Sequence, residues 1–370
     1  MRLSGSDPDP TRHQQVELPE IRATVTEYRE HALTCACCGT TTRADLPPEA
    51  SGGLLGPKFI AFLVLLTGVY RVSKRGAQDL LREAFRVDLS LGTIKAAEKR
   101  MTPALDGPYE EAEKQVEAAE GAHVDETGWR QGGKYAVLWA AVTSVVTLFK
   151  IAASRSREAA DELLGEFGGI LVTDRYAVYG CWPAKWKQYC WAHLKRTFQK
   201  FKERGGKAGQ VGQDLLRQTR ALFRWWRKVR DGTVDRAAFE DAMGRIRARV
   251  RALLVEGTQS GHSQTAATCQ NLLDEFEALW TFVRDGRVDP TNNAAERAIR
   301  PAVLWRKCSF GTWSAEGSRF AERVLTVRCS LRQQGRDVLE FLTECYTAHL
   351  AGRPAPSLVP AVPAPALSTP

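Results

Sequence analysis

The sequence holds 370 residues with 52 Lys and Arg against 43 Asp and Glu, a formal net charge of +9, and is 44% hydrophobic and 26% charged. That composition excludes a disordered, collagenous or disulfide-framework chain, and the length predicts two or three folding units. The basic excess points to a polyanionic partner, either nucleic acid or an acidic membrane surface.

The membrane option weakens on the most apolar stretch. Residues 59–70 (FIAFLVLLTGVY) are closed by Lys58 and Arg71 and fall short of the roughly 20 residues a spanning helix needs. The polar start MRLSGSDPDP offers no signal peptide, and nine cysteines, an odd number, suit reduced thiols. No membrane partner and a cytoplasmic location are the expectation.

Residues 1–50 form an N-terminal segment with one Cys-rich knot, in which Cys35 and Cys38 have the C-x-x-C-G spacing of a zinc knuckle. Two readings stand: half of a Zn²⁺ site that needs two more ligands, with Cys37, His31 and His13 nearby, or a metal-free turn. Residues 51–117 read as helical. Apolar positions recur at helical spacing from Phe59, a second helix covers 78–85, and Ser90 can cap a third that carries Lys95, Lys99 and Arg100. Two short helices around a tight turn resemble a helix-turn-helix DNA reader, against the plainer reading of a packed helical hairpin.

Between 118 and 200 the period changes. Residues 123–130, 135–142 and 147–152 read as three antiparallel strands, the first pair joined by a Gly132-Gly133 turn. A helix over 156–167 follows, then a wholly apolar strand, 170–173, with Asp174 at its carboxyl end, where ligands gather in open α/β sheets. A fifth strand over 187–191 leads into a helix bearing His193, Lys195 and Arg196.

Residues 201–286 read as a basic helical insertion, with a helix predicted to run on to Val283. Residues 195–256 alone hold 17 Lys and Arg against 7 Asp and Glu, so the basic excess belongs to this stretch. Residues 287–350 return to the first unit through a helix that starts after Asp289-Pro290 and carries Glu296, Arg297 and Arg300. Residues 351–370 are Pro-rich, with six of the 17 prolines, and a disordered tail is expected.

Three carboxylates sit where such a fold would gather them. Asp125 lies on the first strand, Asp174 ends the fourth, and Glu296 opens a late helix. Together they would hold two Mg²⁺ or Mn²⁺ ions, the hard-oxygen arrangement that clamps attacking and leaving oxygens in phosphoryl transfer. Each has a plain alternative: Glu126 as ligand in place of Asp125, Asp174 as a cap, and Glu296 in a capping box with Asn293.

The segments HVDETGWR, GGILVTDRYAVY, QYCWAHLKRTFQ and DPTNNAAERAIRPAVLWRKCSFGT resemble the transposases of the insertion-sequence-66 family, over about His13 to Pro356. The resemblance implies an α/β fold: a ribonuclease-H-like mixed sheet with a helical insertion, preceded by a small helix-turn-helix-like domain. It implies an Asp-Asp-Glu triad at Asp125, Asp174 and Glu296, the last 122 residues after the second. It also implies cleavage at transposon ends and strand transfer into target DNA. The partners it implies are double-stranded DNA, as terminal inverted repeats and target, a homo-oligomer that synapses ends, and accessory proteins of the element in a bacterial nucleoid. The family carries a further upstream Cys pair that completes a zinc module, for which this sequence has no counterpart. His193, Lys195, Arg196, Arg245, Arg247, Arg249, Arg297 and Arg300 are the expected phosphate contacts, against solvated helix charge or a satisfied structural histidine. Two other functions compete: a silent DNA-binding remnant or regulator, and a structure-specific nuclease on the same fold.

Overall fold

The computed structural model describes residues 8–47, 50 and 53–360. A β1–β2 hairpin (Ala32–Thr34, Thr41–Arg43) carries the Cys knot at its turn. Four helices follow: α1 (Pro57–Val64), continued by a π-turn over Leu65–Val69, α2 (Lys74–Phe85), α3 (Leu91–Ala104) and α4 (Asp106–Glu117). Ser90 does cap α3, its hydroxyl accepting from the Thr93 amide at 3.1 Å. These helices share one core with the sheet and with the last two helices, α12 (Ala315–Gln333) and α13 (Val338–Leu350). Gly68 permits a close approach here: a Cβ there would stand 3.0 Å from Val324 on α12.

The central sheet has five strands in the order β5-β4-β3-β6-β7. The strands are β3 (Gly121–Gln131), β4 (Lys134–Val142), β5 (Thr147–Ala152), β6 (Ile170–Thr173) and β7 (Lys187–Tyr189). The first three form an antiparallel meander, and β6 and β7 add in parallel beside β3. A chain that pairs β6 parallel to β3 must cross over the sheet, and α5 (Arg157–Leu164), capped by Ser156, makes that crossing.

Beyond β7, α6 (Trp191–Glu203), α7 (Gly206–Arg230), α8 (Arg236–Thr258) and α9 (Ser263–Asp274) pack into a second core around Phe198, Leu215, Phe239 and Trp280. Ile170 and Val172 of β6 belong to this second core, which fixes the insertion to the sheet. The helix expected to run to Val283 instead ends at Asp274. A 3₁₀ turn (Phe276–Leu279) and the four-residue α10 (Thr281–Arg284) follow, because Trp280 and Phe282 are drawn into the core. The chain then returns to the sheet through α11 (Asn293–Ser309).

The tail departs from expectation. Leu358 is fully buried, its amide donates to Glu111 at 2.6 Å, and Arg336 donates to its carbonyl at 3.0 Å, so residues up to 360 dock on α4. The rest of the expected disordered tail lies outside the described residues. Among the described residues, no helix is long and apolar enough to cross a membrane.

Candidate active site

Strand alternation puts His123, Asp125 and Thr127 on one face of β3. Helix α11 lies along that face: Asn292, just before it, meets His123 at 3.2 Å, and Arg306 near its end reaches Thr127 at 3.3 Å. Glu296, in its first turn, is therefore carried beside Asp125. From the other side, β6 pairs with β3 in the register Gly121–Ile170 to His123–Val172. Two residues further along, that register sets Asp125 level with Asp174.

The electrostatics agree. The Asp125 carboxyl is pushed up to about 7, first by burial, and further by the charges of Glu126, Asp174 and Glu296. Glu126 faces elsewhere: it is buried, accepts from Tyr179 Oη at 2.7 Å and Arg155 Nε at 2.7 Å, and is thereby committed to an internal ion pair. Asp174 does bend the following loop, one oxygen accepting from the Tyr176 amide at 2.8 Å.

The capping box expected for Glu296 is not formed. Asn293 is the first helical residue, and the N-cap, Asn292, makes no side-chain cap bond. Its fully buried side chain turns to the sheet instead, donating to the Val124 carbonyl at 2.7 Å. Its amide meets Cys190 Sγ at 3.2 Å, and its carbonyl accepts from the Glu296 amide at 3.1 Å. Asn292 thus locks strand β3, the β7–α6 junction and the Glu296 helix together. Burial lowers the His123 imidazole below its ordinary value, so it stays neutral there.

His193 and Cys190 complete the surround. Cys190 Sγ, a His193 ring nitrogen and a Glu296 oxygen lie within 4.8 Å of one another. His193 Nδ1 stands 3.6 Å from Glu296 Oε1, too far for a hydrogen bond, and both buried atoms lack a partner among the described residues. Two orphaned polar atoms at one edge mark a place built for a third party. Burial raises the Cys190 thiol, which already accepts the Asn292 amide, so it suits a thiolate-bound metal poorly. Asp125, Asp174 and Glu296 offer oxygens only, and that donor set fits Mg²⁺ or Mn²⁺ better than Zn²⁺.

The expected DNA contacts divide. Lys195 and Arg196 line an open groove with Gln199, Lys200, Glu203 and Asn293, the last of which opens the helix that carries Glu296. Arg297 and Arg300 are exposed on α11. Arg245, Arg247 and Arg249 differ, for each is tied internally: Arg245 to Asp241 at 2.6 Å, Arg247 to Glu277, and Arg249 to Asp214 at 3.8 Å and Glu256 at 3.6 Å. Trp129 and Trp191 are core residues. In the N-terminal knot, Thr40 draws the Cys38 thiol down to about 7. Among the described residues, three potential metal ligands come together at Cys190, His193 and Glu296.

Sequence reasoning missed Asn292, His123 and Cys190 as a set. The signal was there in Asn292-Asn293, since a paired Asn ahead of a helix offers one cap more than the helix needs.

Comparison with known proteins bears on what this edge does. An uncharacterized protein of Sinorhizobium fredii (strain NBRC 101917 / NGR234), y4qI, is 31% identical over 208 residues, covering 52% of this chain and 38% of the relative. A second from that strain, y4hP, is 25% identical over 404 residues, covering 98% of this chain and 71% of the relative. The chain thus spans little more than a third of the one and under three quarters of the other. The family described as "Transposase IS66 family" matches residues 52–320, a span that contains all three carboxylates, and the chain belongs to that family.

Proposed function

We propose that this chain is a DNA transposase whose catalytic unit is ribonuclease-H-like, with Asp125, Asp174 and Glu296 as its metal-holding triad. One observation carries the reading: the β3–β6 register and the seating of α11 bring Asp125, Asp174 and Glu296 to one sheet edge, where burial first, then the charges of Glu126, Asp174 and Glu296, raise the Asp125 carboxyl to about 7. Uncompensated acidic charge held half-buried at a sheet edge is costly, and it is kept where cations bind. Two Mg²⁺ or Mn²⁺ ions, when bound, would neutralise that charge and supply Lewis acidity for in-line displacement at phosphorus.

The chain's own residues do the rest. Asn292 holds the start of α11 against β3, so Glu296 meets the two aspartates at a fixed distance. His193 closes the inner side of Glu296. Lys195, Arg196 and Lys200 in the groove, with Arg297 and Arg300 on α11, grip backbone phosphates on either side. In the first reaction, water adds across a phosphodiester at the element's end, and the 3′ oxygen leaves as a free hydroxyl. In the second, that hydroxyl attacks a target phosphodiester, so one P–O bond breaks for each that forms. No protein side chain is covalently modified. The helix-turn-helix-like reading of α2 and α3, pairing of two ends by a homo-oligomer, accessory proteins and a location at the nucleoid belong to the same proposal.

Asp125→Asn and Glu296→Gln are expected to abolish nicking of a labelled terminal-repeat duplex in Mg²⁺ while a gel-shift assay shows nearly unchanged binding. Cleavage by either variant removes the triad. A parent protein that shifts DNA and cuts nothing is the silent remnant, and one that cuts but never joins strands is the nuclease.

A further inference from the structure

Helix α11 leaves the carboxylates and ends at an unusual corner. Phe310, just past its last turn, has φ +58°, a left-handed conformation that bulky side chains avoid. Gly311 follows at φ +102°, pressed so closely on β3 that a Cβ would overlap the Arg130 carbonyl. Thr312 is then clamped to β3: its amide donates to the Arg130 carbonyl at 2.9 Å and its carbonyl accepts from Gly132 at 2.9 Å. Its hydroxyl accepts from Trp129 Nε1 at 3.2 Å. A strained, fully bonded loop of this kind is rigid.

What that rigid loop presents to solvent is apolar. Phe310 is 78% and Trp313 85% exposed, with Tyr135 of the β3–β4 hairpin also exposed at 64%. The surroundings are basic: Arg130, Lys134, Lys307 and Arg319 are exposed and have no carboxylate partner among the described residues. The nearby carboxylate, Glu316, is paired with Lys99 at 3.5 Å. Arg297, Arg300, Leu304 and Lys307 recur at three- and four-residue spacing, so one exposed face of α11 runs from Glu296 to the corner. Exposed aromatic rings at the end of a cationic track are the makings of a base-stacking platform.

We propose that Phe310 and Trp313 stack on a base of the bound DNA, about six nucleotides from the phosphate that is cut. The spacing follows from helix rise: fourteen residues from Glu296 to Phe310 at about 1.5 Å each give roughly 21 Å, and one strand advances about 3.4 Å per nucleotide. The proposal rests on the transposase reading, since the carboxylates fix the cut from which the count starts. Anchoring a base at that distance holds the DNA end in register over the carboxylates.

The test uses the full chain and duplexes carrying the element's terminal repeat, with 2-aminopurine placed in turn at each position within ten nucleotides of the cut. In the parent, emission is expected to change only near positions five to seven. Phe310→Ala/Trp313→Ala is expected to lose that signal and about tenfold in affinity, with an unchanged salt slope and circular dichroism spectrum, since stacking releases no counterions. Asp125→Asn, which keeps the corner, is expected to retain the signal without cutting. Equal emission and affinity in parent and double variant overturn the platform and leave the triad standing. Unchanged DNA affinity with loss of self-association in sedimentation assigns the corner to a second copy of the chain, which also overturns it. A parent that binds none of the duplexes overturns both readings.

Discussion

At Asp125, the first carboxylate of the proposed triad, the environment leaves a signature that a thermal melt can read. A carboxyl raised from its ordinary range to about 7 binds its proton more tightly in the folded chain than in the unfolded one. The folded state therefore loses stability as pH rises from about 4 to 7, at about 1.4 kcal/mol per unit, and the loss is complete above 7. Asp125→Asn is expected to raise the melting temperature at pH 8 more than at pH 5.5. Metal binding works against the same charge: Mg²⁺ is expected to stabilise the parent at pH 8, less at pH 6 where protons compete, and scarcely to affect the Asn variant. Thermal melts at the two pH values, with and without Mg²⁺, check both statements. A Mg²⁺ response that is the same in parent and variant would separate Asp125 from the metal.

At the scale of elements, the site depends on how α11 is seated, and Asn292 seats it. Its wholly buried side chain bonds β3 twice, at the Val124 carbonyl and the His123 ring, and its backbone amide bonds Cys190 at the β7–α6 junction. Asn292→Ala leaves the His123 ring and the Val124 carbonyl without partners, at a cost of roughly 1–3 kcal/mol each where burial is complete. The expected outcome is a melting temperature several degrees lower and a disproportionate loss of cleavage, because Glu296 shifts from Asp125. The discriminating measurement is the midpoint for Mg²⁺ activation, which rises if Glu296 is displaced and stays put if Asn292 serves stability alone. This contact also shows what could be read in advance. Strands β5 and β6 were legible to the residue, since β-branched runs bounded by turn residues have few other fates. The positions of Asp125 on β3, Asp174 just past β6 and Glu296 at a helix start were legible from strand and helix signals. The local geometry was not: Asn293 reads as the capping-box partner of Glu296, whereas the helix starts one residue earlier than that and Asn292 bonds a strand 168 residues away. Nor was the docked tail: a Pro-rich composition signals low core content, yet buried Leu358 and the bonds of Ser357 and Leu358 to Glu111 and Arg336 hold it.

For the whole molecule, net charge is a poor guide to where DNA lies until the ion pairs are mapped. Residues 195–256 hold 17 Lys and Arg against 7 Asp and Glu, but part of that charge is paired within the chain. Arg245, Arg247 and Arg249 on α8 meet Asp241, Glu277, Asp214 and Glu256, which ties α8 to α7 and to the turn before α10. Lys195, Arg196 and Lys200 have no such partners among the described residues, and their groove is lined by Asn293 at the start of the Glu296 helix. Counterion release then predicts a division of labour. Replacing the three groove cations by Ala is expected to weaken DNA binding and to flatten the dependence of log K on log salt by about 0.9 for each phosphate left without its cation. Reversing the three α8 arginines is expected to lower the melting temperature, through repulsion from carboxylates they now neutralise, with little change in slope. Titrations between 50 and 200 mM salt separate the two sets. A slope that falls for the α8 set and holds for the groove set would move the DNA to the opposite side of the insertion, away from the carboxylates, and with it the path on which the transposase reading depends.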